Sequence, residues 1–107
     1  MPDPLQDLLR RLVGGDVTVR AEILAAADTS DSPTLLVAAA LVAVAPDLLA
    51  RAAEHAVTTR DRQLIAVAAA HLADNPELLD ALVRDHLSDH PDNLLAAWIA
   101  ALHSPAD

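Results

Sequence analysis

The sequence VAAALVAVAPDLL at residues 37–49 returns as VAAAHLADNPELL at residues 67–79, an offset of 30 residues. The same offset places the apolar pair at residues 64–65 over a second apolar pair at residues 94–95. Each copy holds an alanine-rich run, a short turn and a proline-led amphipathic run, which together indicate a helical hairpin. Repetition at this period is typical of stacked helical hairpins.

We therefore predict one all-α domain over residues 1–107, with about seven short antiparallel helices. The helices should stack as 30-residue hairpins in an α-solenoid, a fragment of a right-handed superhelix. The hairpins are expected at about residues 3–30, 31–60 and 61–90, followed by a terminal half-repeat at residues 91–107.

Prolines, glycines and short polar side chains mark the predicted helix ends. Pro33, Pro46 and Pro76 each suit the first position of a helix, because proline has no N–H to leave unpaired there. The pair at residues 14–15 is Gly-Gly and should end the first helix. The remaining boundary residues are Asp3, Asp16, Ser32, Asp61, Asn75 and Asn93 as predicted caps or openers, and Ser104 with Pro105 as a stop.

Composition supports the helical class and limits the partners. Hydrophobic residues make up 53% of the chain, yet Trp98 is its only aromatic residue, so Leu, Val, Ile and Ala must form the core. Ala and Leu favour helices. The net charge is −9, and an acidic surface repels the phosphates of nucleic acids, so we expect no nucleic-acid partner.

Three features of the sequence indicate where the protein is located. There is no cysteine, residues 1–7 lack the basic flank and apolar run of a signal peptide, and the longest apolar run is residues 35–45. Such a run is too short to span a bilayer. We expect a cytoplasmic protein without a membrane partner.

The order of elements resembles that of short HEAT-like repeats of the type related to phycobilisome-lyase repeats. A proline-led Leu-rich helix at residues 76–83, an acidic turn at 88–92 and an alanine-rich helix at 94–102 follow that family's order. The Val-Arg pair that opens the family's alanine-rich helix is replaced here by Leu64-Ile65 and Leu94-Leu95. Tetratricopeptide repeats are the second resemblance, through Pro91-Asp-Asn before Trp98. Either resemblance implies a scaffold or adaptor and carries over no catalytic residue.

Alternate helices of the array are predicted to be apolar on nearly every side, which demands burial on every side. The last of them has no following helix to cover it. Either it folds back under the array, or its free face meets another chain. The residues expected at that interface are Leu94, Leu95, Trp98, Ile99 and Leu102.

We therefore expect a non-enzymatic interaction or scaffold module that forms a homodimer through these apolar helices, with two-fold pairing as the simplest arrangement. A groove for a partner's helix is an alternative use of the same residues. For Trp98, a role as a core plug and a role as an interface anchor are both open, because tryptophan is common in both settings.

A second hypothesis is a metal- or pH-responsive regulator, or an enzyme accessory, that uses the His and Asp residues between positions 71 and 90. Asp85, His86, Asp89 and His90 form the densest polar group and are weak metal-ligand candidates. Pro91 should remove His90 from helical spacing, however, so we predict no metal site and no cofactor. His86 is expected to face inward and contact carbonyls at a helix end, and His71 to be a buried neutral histidine.

General acid–base catalysis needs carboxylates that converge in a pocket. Most acidic residues here instead occupy predicted caps and outer faces, and no serine has a paired base. We predict that the protein is not an enzyme.

Overall fold

The computed structural model describes residues 4–103. For Pro4 and His103 it describes only the backbone. These residues form α1 (Pro4–Val13), α2 (Val19–Ala27), α3 (Pro33–Ala43), α4 (Pro46–His55), α5 (Thr59–Leu72), α6 (Pro76–Asp89) and α7 (Leu94–His103). The prediction of an all-α fold is confirmed, and there is no strand in the described part of the chain. The predicted roles of Asp3, Ser104 and Pro105 fall outside the described residues.

Helices α1, α3 and α5 all end in the same way. Each is followed by a residue in the left-handed backbone conformation, Gly15 with φ 88°, Val44 with φ 51° and Asp74 with φ 54°. The N–H of the next residue then donates to a carbonyl five positions earlier, at 2.9, 3.0 and 3.1 Å for Asp16 to Arg11, Ala45 to Ala40 and Asn75 to Ala70. This is the closure of a Schellman motif. The same helix-ending motif therefore recurs at α1, α3 and α5.

The side chains at the helix starts fit the predictions at α3 and α6. Ser32 Oγ accepts a hydrogen bond from the Leu35 N–H at 3.3 Å, and Asn75 Oδ1 accepts one from the Leu78 N–H at 3.2 Å. Each bond satisfies one of the N–H groups that the first turn of a helix leaves unpaired.

The cap of α5 differs from the prediction. Thr58, not Asp61, is the N-cap, and the two side chains form a reciprocal capping box. Asp61 sits three residues further on and accepts hydrogen bonds from the Val57 and Thr58 N–H groups at 3.1 and 3.2 Å. Although partial burial raises the pKa of Asp61, these bonds lower it more, and the net shift is downward.

The start of α2 also differs. Asp16 lies three residues before the helix, and its Oδ1 accepts hydrogen bonds from the Thr18 N–H at 2.9 Å and the Thr18 hydroxyl at 2.7 Å. The Thr18 hydroxyl and the Arg11 guanidinium, followed by the Thr18 N–H, lower the pKa of Asp16 to about 2. Asp16 therefore organises the turn that leads into α2 from two residues before the N-cap position, which Thr18 occupies.

Helix α3 lies at the centre of the packing. Its residues 35–41 are all buried, and it packs against α2, α4 and α5. The continuous burial explains why this segment has no polar side chain, as the sequence indicated. Helix α5 contacts both of its odd-numbered neighbours, α3 and α7.

The finer prediction of an open solenoid is not confirmed. Helix α1 packs against α7, so the first and last helices of the described chain meet, whereas a solenoid keeps its ends apart. The principal extents are 33 × 32 × 28 Å, nearly equal in all directions. Helix α7 thus folds back and receives cover from α1, α5 and α6.

Candidate functional site

Helix α7 is docked through one face only. Leu95, Ala96 and Ile99 are completely buried on the inner side, where α7 packs against α1, α5 and α6. Burial of two large aliphatic side chains stabilises the docked helix by about 1.5–3 kcal/mol for each of them. The inner face therefore anchors α7 to the rest of the domain.

The other face of α7 is apolar and only partly covered. Leu94 and Trp98 are half-buried, Ala97 and Ala101 are exposed, and Leu102 is 52% exposed. Their spacing of three and four residues places them on one side of a helix. We call these five residues the α7 stripe. No polar side chain interrupts α7 from Leu94 to Leu102.

The predicted interface set is divided between these two faces. Leu94, Trp98 and Leu102 belong to the α7 stripe, whereas Leu95 and Ile99 are fully enclosed in the chain's own core. Folding back and meeting another chain were both open for this helix, and all five residues were assigned to the second alternative because neither α1 nor α7 carries a pattern that specifies their contact. The two alanines of the stripe were missed, although counting three residues onward from Leu94 and from Trp98 would have found them.

A buried polar chain crosses the start of α7. Asn93, which is 4% exposed, is the N-cap of α7, since its Oδ1 accepts hydrogen bonds from the Leu95 and Ala96 N–H groups at 3.1 and 3.3 Å. Its Nδ2 lies 2.8 Å from Nε2 of His86, and Nδ1 of His86 lies 2.9 Å from Oε1 of Gln63. One chain of hydrogen bonds therefore connects α7, α6 and α5.

The cap determines which ring nitrogen of His86 carries the proton. Because both helix N–H groups are donors, Asn93 must turn its oxygen to them and its NH₂ group to His86. The NH₂ group can only donate, so Nε2 of His86 accepts, and the ring proton resides on Nδ1. That proton is donated to the Gln63 side-chain oxygen. His86 is thus neutral, with all of its polar atoms paired.

Burial lowers the pKa of His86, and the positive charges of His90 and Arg60 lower it further. Asp89 opposes this shift, and so does the carboxyl end of α6, where the helix dipole favours a cation. The desolvation cost outweighs both. The expected contact of His86 with terminal carbonyls is therefore replaced by a contact with two side-chain amides.

The weak metal candidates do not assemble into a site. The rings of His86 and His90 lie 5.1 Å apart between centroids, but both nitrogens of His86 are already hydrogen-bonded. Asp85 and Asp89 are exposed. Among residues 4–103 there is no group of three His, Cys, Asp or Glu side chains arranged to hold a metal ion.

His55 and His71 are not members of this polar chain. His55 faces Asp31, with Nε2 3.5 Å from Oδ1. His71 was expected to be a fully buried neutral histidine, but it is only half-buried.

No helix of the described residues has the length and apolar character needed to cross a membrane.

Comparison with known proteins supplies no family for the chain. No family model matches it, and no curated protein or solved structure gives a significant match. The likeness to HEAT-like and tetratricopeptide repeats therefore stays a prediction.

Proposed function

We propose that this chain is a non-enzymatic protein–protein interaction module that self-associates through the α7 stripe. The supporting observation is that the only aromatic residue of the chain, Trp98, is only partly buried in an uninterrupted apolar stripe. The helix that carries the stripe is already anchored by its opposite face. A tryptophan flanked by leucines on a firm support is typical of an interaction anchor.

The shape of the stripe favours a second copy of the chain as the partner. Ala97 and Ala101 are one helical turn apart and leave a shallow notch, and the larger side chains of Leu94, Trp98 and Leu102 stand beside it. In a two-fold pairing the same surface meets itself, so bulky side chains of one copy can pack over the alanines of the other. The alanines also allow the two helices to approach closely.

Charge considerations agree with this choice of surface. Each chain carries a net charge of −9, so two copies repel one another over most orientations. The α7 stripe contains no charged side chain, and pairing through it keeps carboxylates out of the contact. The acidic charge also supports the proposal that the protein binds no nucleic acid.

The stripe is small, and this limits the affinity. A helix of nine residues is about 13 Å long. The contact therefore falls well below the roughly 800 Å² per partner of a stable interface unless neighbouring surfaces add to it. We expect a reversible dimer with a dissociation constant above about 1 μM.

Sedimentation velocity over a range from about 5 to 500 μM, spanning that expected constant, tests the proposal. The native chain should shift from monomer to dimer, and Leu102→Gln should move the transition to higher concentration. Leu24→Gln is the matched control, because Leu24 is 38% exposed on α2, and it should leave the transition unchanged. A monomer at every concentration would reject self-association and leave a groove for a partner's helix as the alternative use of the stripe.

A further inference from the structure

The start of α7 depends on a histidine that has to stay neutral. As described above, Asn93 presents its NH₂ group to Nε2 of His86 because its oxygen is held by two helix N–H groups. A second proton on His86 would occupy Nε2. Two donors would then face each other in a site that is closed to water, since His86 is 0% exposed.

No rearrangement of Asn93 can satisfy all of these groups. If its amide turned over, the oxygen would face the new N–H of His86, but the NH₂ group would then face the Leu95 and Ala96 N–H groups. The N-cap would be lost, and two donors at the helix start would lose their acceptor. In either orientation of Asn93, protonation of His86 therefore leaves hydrogen-bond donors unpaired, at His86 or at the start of α7.

We propose that His86 and Asn93 form a proton-sensitive latch that holds the first turn of α7 when His86 is neutral and releases it in mildly acidic solution. The latch acts within one chain and does not rest on the proposed self-association. It gives the pH-responsive alternative a specific pair of residues, His86 and Asn93.

The charged and titratable groups around His86 set the direction of the response. Arg60 on α5 and His90 at the end of α6 disfavour the protonated ring of His86, whereas Asp89 on α6 favours it. The described side chains of α7 carry no charge. Burial is the largest influence and also disfavours the charge. The folded-state pKa of His86 therefore lies below the unfolded value of 6.5. Its contribution to stability is complete above that value and is lost as the pH falls through the folded-state pKa.

An NMR titration of the full chain from pH 8 to 5 tests the latch in the unmodified protein, because a histidine titrates in this range. The ring resonances of His86 should give a midpoint below 6.5. The amide signals of Leu95 and Ala96 should move with the same midpoint, and their hydrogen exchange, corrected for its intrinsic pH dependence, should speed up. The proposal would be overturned if the amide signals of Leu95 and Ala96 did not change as His86 titrates, or if the His86 midpoint were at or above 6.5.

Asn93→Asp supplies a variant in which the sign should reverse. A carboxylate is also a good N-cap, but it accepts a hydrogen bond from protonated His86 instead of opposing it. In this variant the His86 midpoint should rise above 6.5, and acidification from pH 8 to 5 should no longer weaken protection at Leu95 and Ala96. The same acid sensitivity in Asn93→Asp and in the native chain would contradict the latch.

His90→Gln removes the second ring near the latch. The response of Leu95 and Ala96 should persist in this variant, because the proton that matters is on His86. If the response vanished while His86 still titrated, His90 would be the controlling group and the proposal would fail.

Discussion

Val44 and Asp74 lie 30 residues apart in the chain and adopt almost the same left-handed backbone conformation, with φ 51° and 54°. Each follows an alanine-rich helix, and each stands two residues before a proline that begins the next helix. The two positions are therefore structural equivalents. They differ in cost, because a β-branched residue is strained in this conformation and aspartate tolerates it.

We predict that Val44→Gly raises the free energy of unfolding by about 1 kcal/mol. Val44 is 68% exposed, so its removal loses little packing, and glycine adopts positive φ without strain. Asp74→Gly is the matched control and should change stability by less than about 0.5 kcal/mol. Urea unfolding measures both, and a destabilised Val44→Gly would show that the left-handed turn is not present in solution.

Asn93→Ala should be more costly than an ordinary cap deletion. It removes the N-cap of α7 and also leaves Nε2 of His86 buried without a donor, for a combined loss of about 2–3 kcal/mol. Asn75→Ala removes only the cap of α6 and should lose about 1 kcal/mol. Equal losses in the two variants, measured by urea unfolding at neutral pH, would mean that the contact with His86 contributes nothing.

Truncation of two apolar residues of α7 should change the stability by very different amounts. Ile99→Ala should destabilise the chain by about 2–5 kcal/mol, because Ile99 is fully buried. Leu102→Ala should change the stability of the monomer by less than about 0.5 kcal/mol, because the side chain is half in solvent. Thermal unfolding at a low, monomeric concentration makes the comparison, and a large loss at Leu102 would place it in the core instead of the stripe.

Salt should strengthen the proposed dimer. The copies repel each other with a charge of −9 each, and ions screen that repulsion while leaving the apolar contact intact. Raising the ionic strength from about 0.05 to 0.5 M should therefore lower the dissociation constant measured by sedimentation. A dimer that weakened with salt would instead be held by ion pairs, which the α7 stripe cannot provide.

The helical class and several helix starts were accessible from the sequence because they depend on local signals. Proline at the first helical position, alanine-rich runs and the 30-residue offset each act within a few turns of chain. The ends of the helices were shifted by up to a few residues. Thr58, for example, caps α5 where Asp61 had been expected, because the capping box uses both residues and the sequence does not show which one stands outside the helix.

The packing of α1 on α7 was not accessible in the same way. It joins two segments about 90 residues apart, and neither carries a pattern that specifies the other. Leu95 and Ile99 were consequently assigned to an interface, although α1 and α5 help to enclose them. His86 was correctly placed on the inner side, but its amide partners come from Gln63 and Asn93, which lie 23 and 7 residues away in the chain.

Trp98 gives the most direct measurement of the central claim, since it is the sole aromatic residue and lies in the α7 stripe. Its fluorescence emission should shift to shorter wavelength as the protein concentration rises, because dimer formation removes the exposed part of the indole from water. Leu102→Gln should delay the shift to higher concentration, and Leu24→Gln should not. An emission spectrum that stays constant while sedimentation shows a dimer would place the contact elsewhere and contradict the account.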